Sequence, residues 1–200
     1  MGKIVKELSP ELAQLLYESL EDKYDPYKLV PEQVFKNPIQ IKVFNIYDFF
    51  DDQLKSFIDL SKAENARSVF WLPPTGWNRL DYYVEIDLLD SCKDLNSSIS
   101  NQWEELDYTF LSEGGCLYND KMNWIVQVSM EFEIIIMGVF EHLKDSWSHF
   151  HLKPYTKQTF LDEFEFRAEE YEGVSYSYAK KDSEKMNATD VYPIVKNYFE

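Results

Sequence analysis

The sequence predicts one α+β domain, an antiparallel sheet of about five strands with helices packed on it. Three observations point that way. Alternating apolar segments and apolar stripes at spacings of three and four interleave along the chain. Turns between the alternating segments are short, which suits antiparallel neighbours rather than crossover connections. A hydrophobic fraction of 44% over 200 residues supplies the apolar mass of a single real core. Residues 151–200 are less regular and form a candidate C-terminal appendage to that domain.

Ser9-Pro10-Glu11 opens the first helix. Ser9 caps, Pro10 suits the first helical position, and Glu11 faces the positive dipole end. Leu12, Leu15, Leu16 and Leu20 then fall on one face, and the helix is expected to end near Asp22. Pro26, Pro31 and Pro38 make residues 24–38 an irregular, aromatic-bearing connection. Ile39 to Val43 alternates as a short strand. Phe50, Leu54, Phe57 and Ile58 mark a helix within 48–62, and Ser68 to Leu72 is a second strand stopped by Pro73-Pro74. Pro73-Pro74-Thr75-Gly76-Trp77-Asn78 is the strongest turn signal in the chain. Tyr82 to Leu89 alternates as a longer strand.

Ile99, Trp103, Leu106 and Phe110 repeat as one helical stripe, stopped by Gly114-Gly115. Cys116-Leu117-Tyr118, a polar turn and Trp124 to Ser129 read as a hairpin, with Trp124, Val126 and Val128 on one side. Phe132 to Met137 is almost wholly apolar and reads as an interior strand. Gly138 then precedes an expected helix carrying Val139, Phe140, Leu143, Trp147 and Phe150. Thr156 to Tyr171 reads as an acidic helix, Gly173 to Ala179 as an edge strand, and 180–187 as a polar loop. A short helix from Asp190, with Pro193 in its first turn, closes the chain.

Charge narrows the function classes. The chain carries 36 Asp plus Glu against 20 Lys plus Arg, a formal net charge of −16. Such a surface disfavours nucleic acid, whose phosphates need cationic neutralisation, and anionic membranes for the same reason. It favours a basic protein partner, because opposite fields speed encounter. Acidity also serves solubility alone. The aromatic content is high, with 14 Phe, 14 Tyr and 5 Trp. Aromatics mixed with acids make good interface anchors, although most belong to the core. Trp71, Trp77, Tyr82 and Tyr83 flank the Pro-Pro turn, and Tyr24, Tyr27 and Tyr47 decorate the earlier connection.

Cys92 and Cys116 are the only cysteines, expected to be reduced and buried. The first residues lack the apolar stretch of a signal peptide, and the longest apolar run, Ile134 to Phe140, is far too short for a membrane span. A cytoplasmic address is the resulting expectation.

The chemistry-bearing candidates are few. His142, His149 and His151 sit in one stretch. With a carboxylate such as Asp145 they are an alternative divalent-metal set, at a spacing that matches no standard zinc motif. Glu85 and Asp87 share a strand face, and Glu131 and Glu133 begin another strand. Paired acids do general acid–base work or hold magnesium, yet charges on the exposed face of a strand are the ordinary arrangement. No Gly-x-Ser-x-Gly elbow, phosphate loop or dinucleotide fingerprint occurs. No cofactor is expected.

The segment Cys116 to Gly138, with NWIVQVSMEFEIIIMG at its centre, resembles the carboxy-terminal part of small acidic bacterial immunity proteins that neutralise polymorphic or contact-dependent toxins. The resemblance covers this segment alone and transfers no functional residue. It implies a protein that binds a toxin through a sheet edge or a helical face and occludes a basic site.

The expectation is therefore a non-enzymatic, acidic binding protein of the immunity or inhibitor type. Glu85, Asp87, Glu131 and Glu133, or Asp162, Glu163 and Glu165 of the acidic helix, would meet the basic partner, with Trp77 and Tyr83 as aromatic neighbours. A small metal-dependent hydrolase using His142, His149 and His151 is one alternative. A structural or phage-related subunit is another.

Overall fold

The computed structural model describes residues 5–46, 54–73, 82–89, 114–129, 132–170 and 191–200; the side chains of residues 144, 145, 149, 164–170, 191 and 192 are outside that set. The predicted helix around Trp103, the predicted strand Gly173 to Ala179 and the loop 180–187 fall outside the described residues.

Among the described residues seven strands form one antiparallel sheet: β1 (Val5–Glu7), β2 (Gln40–Asn45), β3 (Ser68–Leu72), β4 (Tyr82–Asp87), β5 (Gly115–Asn119), β6 (Trp124–Ser129) and β7 (Ile134–Val139). Their spatial order is β1-β4-β3-β5-β6-β7-β2. The helices are α1 (Pro10–Glu18), α2 (Leu54–Ala63), α3 (Lys157–Glu170) and α4 (Val191–Tyr198), with a 3-10 helix at Lys144–His149. The α+β class holds, but the strand count is seven rather than about five. β2 to β7 fall on segments named from the sequence; the strand not anticipated, β1, is only three residues long and leaves no readable alternation.

Pleating sends alternate residues to opposite layers. Leu72, Cys116, Tyr118, Ile125, Ile134 and Ile136 face a cluster shared with α1, the 24–35 connection, Phe160 of α3 and Ile194, Val195 and Tyr198 of α4. Trp71, Leu117, Trp124, Val126, Val128, Ile135 and Met137 face the other cluster, which α2 covers with Leu54, Phe57 and Leu60. Strands β5, β6 and β7 are buried along their whole length. That two-sided burial is why β7 reads as a continuous apolar run.

Local signals fix several boundaries. Ser9 accepts the Leu12 amide at 3.2 Å and Pro10 takes the first turn of α1. The buried face of α1 is Ala13 and Tyr17, continued by Leu20 in the turn that follows, with Leu12 and Leu16 at its flank. Leu15, expected in the stripe, points outward at 63% exposure. The packed face is centred on Ala13 and Tyr17 rather than on the leucine stripe, which leaves Leu15 outside it; from that face the Tyr17 hydroxyl donates to the Pro73 carbonyl.

The helix expected after Gly138 is a further correction. Val139 completes β7, paired with both Gln40 and Trp124. Tertiary pairing overrides the helical spacing there, and only the 3-10 helix follows. Its Trp147 and the succeeding Phe150 pack edge to face at 5.2 Å over the α2 side of the core.

Two glycines are demanded by space. Gly115 has φ 121°, and a Cβ there would lie 2.2 Å from the Leu72 carbonyl oxygen. A Cβ on Gly138 would meet the Phe35 ring at 2.7 Å. The Tyr155 amide donates to the Val43 carbonyl at 2.7 Å, so the chain leading into α3 lies along the outer edge of β2. Covering an edge in this way blocks further strand pairing there.

Candidate functional site

The carboxylates nominated by strand periodicity are engaged within the fold. Glu85 on β4 accepts from Lys6 Nζ at 2.6 Å, joining the edge strand β1 to β4. It also accepts from the Tyr83 hydroxyl at 3.1 Å. Burial, then the neighbouring Glu85, pushes the Tyr83 phenol up to about 12. Asp87 is exposed and accepts the Leu89 amide at 2.9 Å, shaping the turn that leaves β4. Glu133 stands at φ 51° just before β7, and its carbonyl accepts the Ile46 amide at 3.1 Å. Asp162 is exposed on α3 and accepts from Gln158 at 2.6 Å, while Glu163 beside it is half-buried. Glu131 and Trp77 lie outside the described residues, as does the side chain of Glu165.

His142 is exposed in the connection before the 3-10 helix, and His151 is exposed after it. Helical spacing would put His142 and Asp145 on one face, but His142 precedes the 3-10 helix that contains Asp145, so no helix carries both. The side chain of His149 is outside the described set. Among the described residues no group of three or more His, Cys, Asp or Glu side chains comes together as a metal site.

The Cys116 thiol is buried in the same core cluster as Tyr17, Tyr24 and Tyr118, and burial pushes it well above the ordinary thiol range. A thiol held protonated is a poor nucleophile and a poor metal ligand. Burial likewise raises the phenols of Tyr17, Tyr24, Tyr118 and Tyr198. This cluster is core rather than reactive surface.

Where the aromatics end up separates anchors from core. Trp71 is buried and its indole N–H donates to the Gly114 carbonyl at 3.1 Å. Tyr24 is buried and its hydroxyl meets the Gln127 side chain. Tyr27, three residues on, is 81% exposed.

Several cations are turned inward or paired. Lys23 donates to the Met122 carbonyl at 2.9 Å and sits 5.5 Å above the Phe140 ring. Lys42 lies 5.0 Å above the Trp147 ring, where burial lowers its ammonium pKa. Lys6 is held by Glu85 and Lys55 by Asp59. Among the described residues, exposed Glu21, Asp22 and Glu32 make no salt bridge, although Lys36 Nζ donates to the Glu21 backbone carbonyl at 2.7 Å. The surface around them keeps the negative field that the composition announces. Sequence reasoning gave these three residues no role; the proline-rich setting signalled a loop, but exposure depends on contacts from distant segments.

Comparison with known proteins gives no match: no family model fits the sequence, and no curated protein or solved structure is similar to it.

Proposed function

We propose that the protein is a non-enzymatic binding module that captures a basic protein partner, in the manner of an inhibitor or toxin-immunity protein, and covers the partner's functional surface. The supporting observation is the disposition of charge. Among the described residues Lys6, Lys23 and Lys42 are drawn onto carboxylates, carbonyls or rings of the protein itself, and exposed Glu21, Asp22 and Glu32 make no salt bridge; exposed Lys62, Arg67 and Lys121 also lack one, so the negative field comes from 36 acids outnumbering 20 bases. A net charge of −16 on a folded α+β domain then steers cationic surfaces toward it and disfavours anionic ones.

Immobilised protein, exposed to lysate at low salt and eluted with a salt gradient, tests this reading. The expected result is a basic protein released by salt, with mass spectrometry giving its identity. Retention of only acidic or neutral proteins, unaffected by salt, contradicts it.

A further inference from the structure

The connection between α1 and β2 is a built loop rather than a slack one. An antiparallel bridge between Tyr24 and Phe35 closes its base. The Asp25 amide donates to the Val34 carbonyl at 2.8 Å, and the Lys36 amide to the Lys23 carbonyl at 2.8 Å. Within the loop, the Asp25 carboxylate accepts the Tyr27 amide at 3.1 Å and the Glu32 amide donates to the Leu29 carbonyl at 2.9 Å. Helix α4 braces the far side: Asn197 donates to the Pro31 carbonyl at 2.8 Å, and Gln33 donates to the Asn197 carbonyl at 2.7 Å. Val30, Val34 and Phe35 are buried beneath it.

That scaffold holds two apolar side chains out in water. Tyr27 is 81% exposed and Leu29 49%. In sequence they lie between the exposed carboxylates of Glu21 and Asp22 on one side and Glu32 on the other, with Lys28 between them 3.8 Å from the Asp25 carboxylate. Holding large apolar groups in solvent on a braced backbone has no evident benefit to the fold, since neither fills the core. It does lower the ordering cost of binding, because the anchor is already in place. An aromatic anchor rimmed by charge is the usual make-up of an energetic centre in a protein interface.

We propose that the loop Glu21–Glu32 is the docking element, with Tyr27 and Leu29 entering an apolar pocket of a partner whose rim carries Lys or Arg side chains. The proposal rests on the basic-partner reading and sharpens it. It moves the contact from the β4 carboxylates, where Glu85 is already neutralised by Lys6, to the tip of this loop. Charge complementarity selects the occupant: the loop carries Glu21, Asp22, Asp25 and Glu32 against Lys23, which is turned onto the Met122 carbonyl, and Lys28, which lies 3.8 Å from the Asp25 carboxylate, so its net negative charge repels a second acidic copy and attracts a cationic rim.

The test is an amide chemical-shift titration of the full chain with two synthetic peptides, one alternating arginine and leucine, the other glutamate and leucine. The expected result is a salt-sensitive response to the arginine peptide centred on residues 21–32. Tyr27→Ala is then expected to weaken that binding by about tenfold or more, as removal of an interface anchor does, while Leu15→Ala on α1 leaves it unchanged. An otherwise unaltered spectrum shows that the Tyr27→Ala variant is folded. Shifts centred on Glu85 and Asp87 overturn the loop assignment and leave the basic-partner reading standing. An equal response to both peptides, or none, overturns both. Concentration-dependent shifts of 21–32 without peptide assign the loop to self-association and overturn the proposed occupant.

Discussion

The indole N–H of Trp124, at the start of β6, donates to the Glu64 carboxylate at 2.8 Å. Glu64 follows the last turn of α2, where Asn65 at φ 57° ends the helix. The same carboxylate accepts from Asn119 at 2.8 Å and from Asn123 at 2.9 Å. Asn119 in turn accepts the Lys121 and Met122 amides at 3.0 and 3.1 Å, shaping the β5–β6 turn. One acid therefore ties the end of α2 to the hairpin on which both core layers rest. Replacing Glu64 with Ala strands the N–H of a fully buried indole, at a cost of about 3 kcal/mol. Glu64→Gln keeps one acceptor oxygen and is expected to cost about 1 kcal/mol. Urea unfolding of the two variants checks the ranking.

Gly115→Ala and Gly138→Ala separate two kinds of crowding. At Gly115 the added methyl meets a backbone carbonyl, and the positive φ disfavours any side chain. At Gly138 it meets an aromatic ring that can shift a little. Gly138→Ala is expected to cost about 1–3 kcal/mol as overpacking, and Gly115→Ala more. Equal denaturant midpoints for the two variants would contradict this assignment.

Tyr83 and its buried neighbours make stability fall in alkali. Their folded-state phenols titrate above the ordinary value of 10.0, Tyr83 at about 12. Below pH 10 both states stay protonated and this contribution is fully present. As pH rises from 10 to 12 the unfolded chain releases protons that the folded chain keeps, so unfolding gains. The urea midpoint is expected to drop steeply across that window and less steeply in Tyr83→Phe. A midpoint independent of pH over the window would contradict the burial account.

Cys116 is expected to resist thiol reagents in the native state, because its thiol is buried and held protonated. In a Cys92→Ser background, labelling at pH 8 reports Cys116 alone. Its rate is expected to follow global unfolding and to rise with urea. Rapid labelling without denaturant would contradict the buried placement.

The legible parts of the fold were those where local and tertiary preferences agree. The cap at Ser9, the β5–β6 hairpin and the apolar β7 each carry a signal that packing reinforces. Leu15 and the Val139–Phe150 stripe misled because the sheet recruited residues on grounds invisible to spacing: Val139 finds partners in β2 and β6, and α1 packs on the face of Ala13 and Tyr17. The candidate surface was harder still. Asp, Glu and Tyr are plentiful, so which of them faces solvent without a counterion depends on Lys6 meeting Glu85 from 79 residues away and on Asn197 bracing Pro31 from 166 residues away.

The most direct measurement is the affinity for the basic partner recovered at low salt, followed from roughly 50 to 200 mM salt, where screening shortens the reach of surface charge. The account predicts a weakening of about tenfold or more over that range, carried mainly by the association rate. An affinity that changes by less than about twofold would contradict electrostatic capture as the central function.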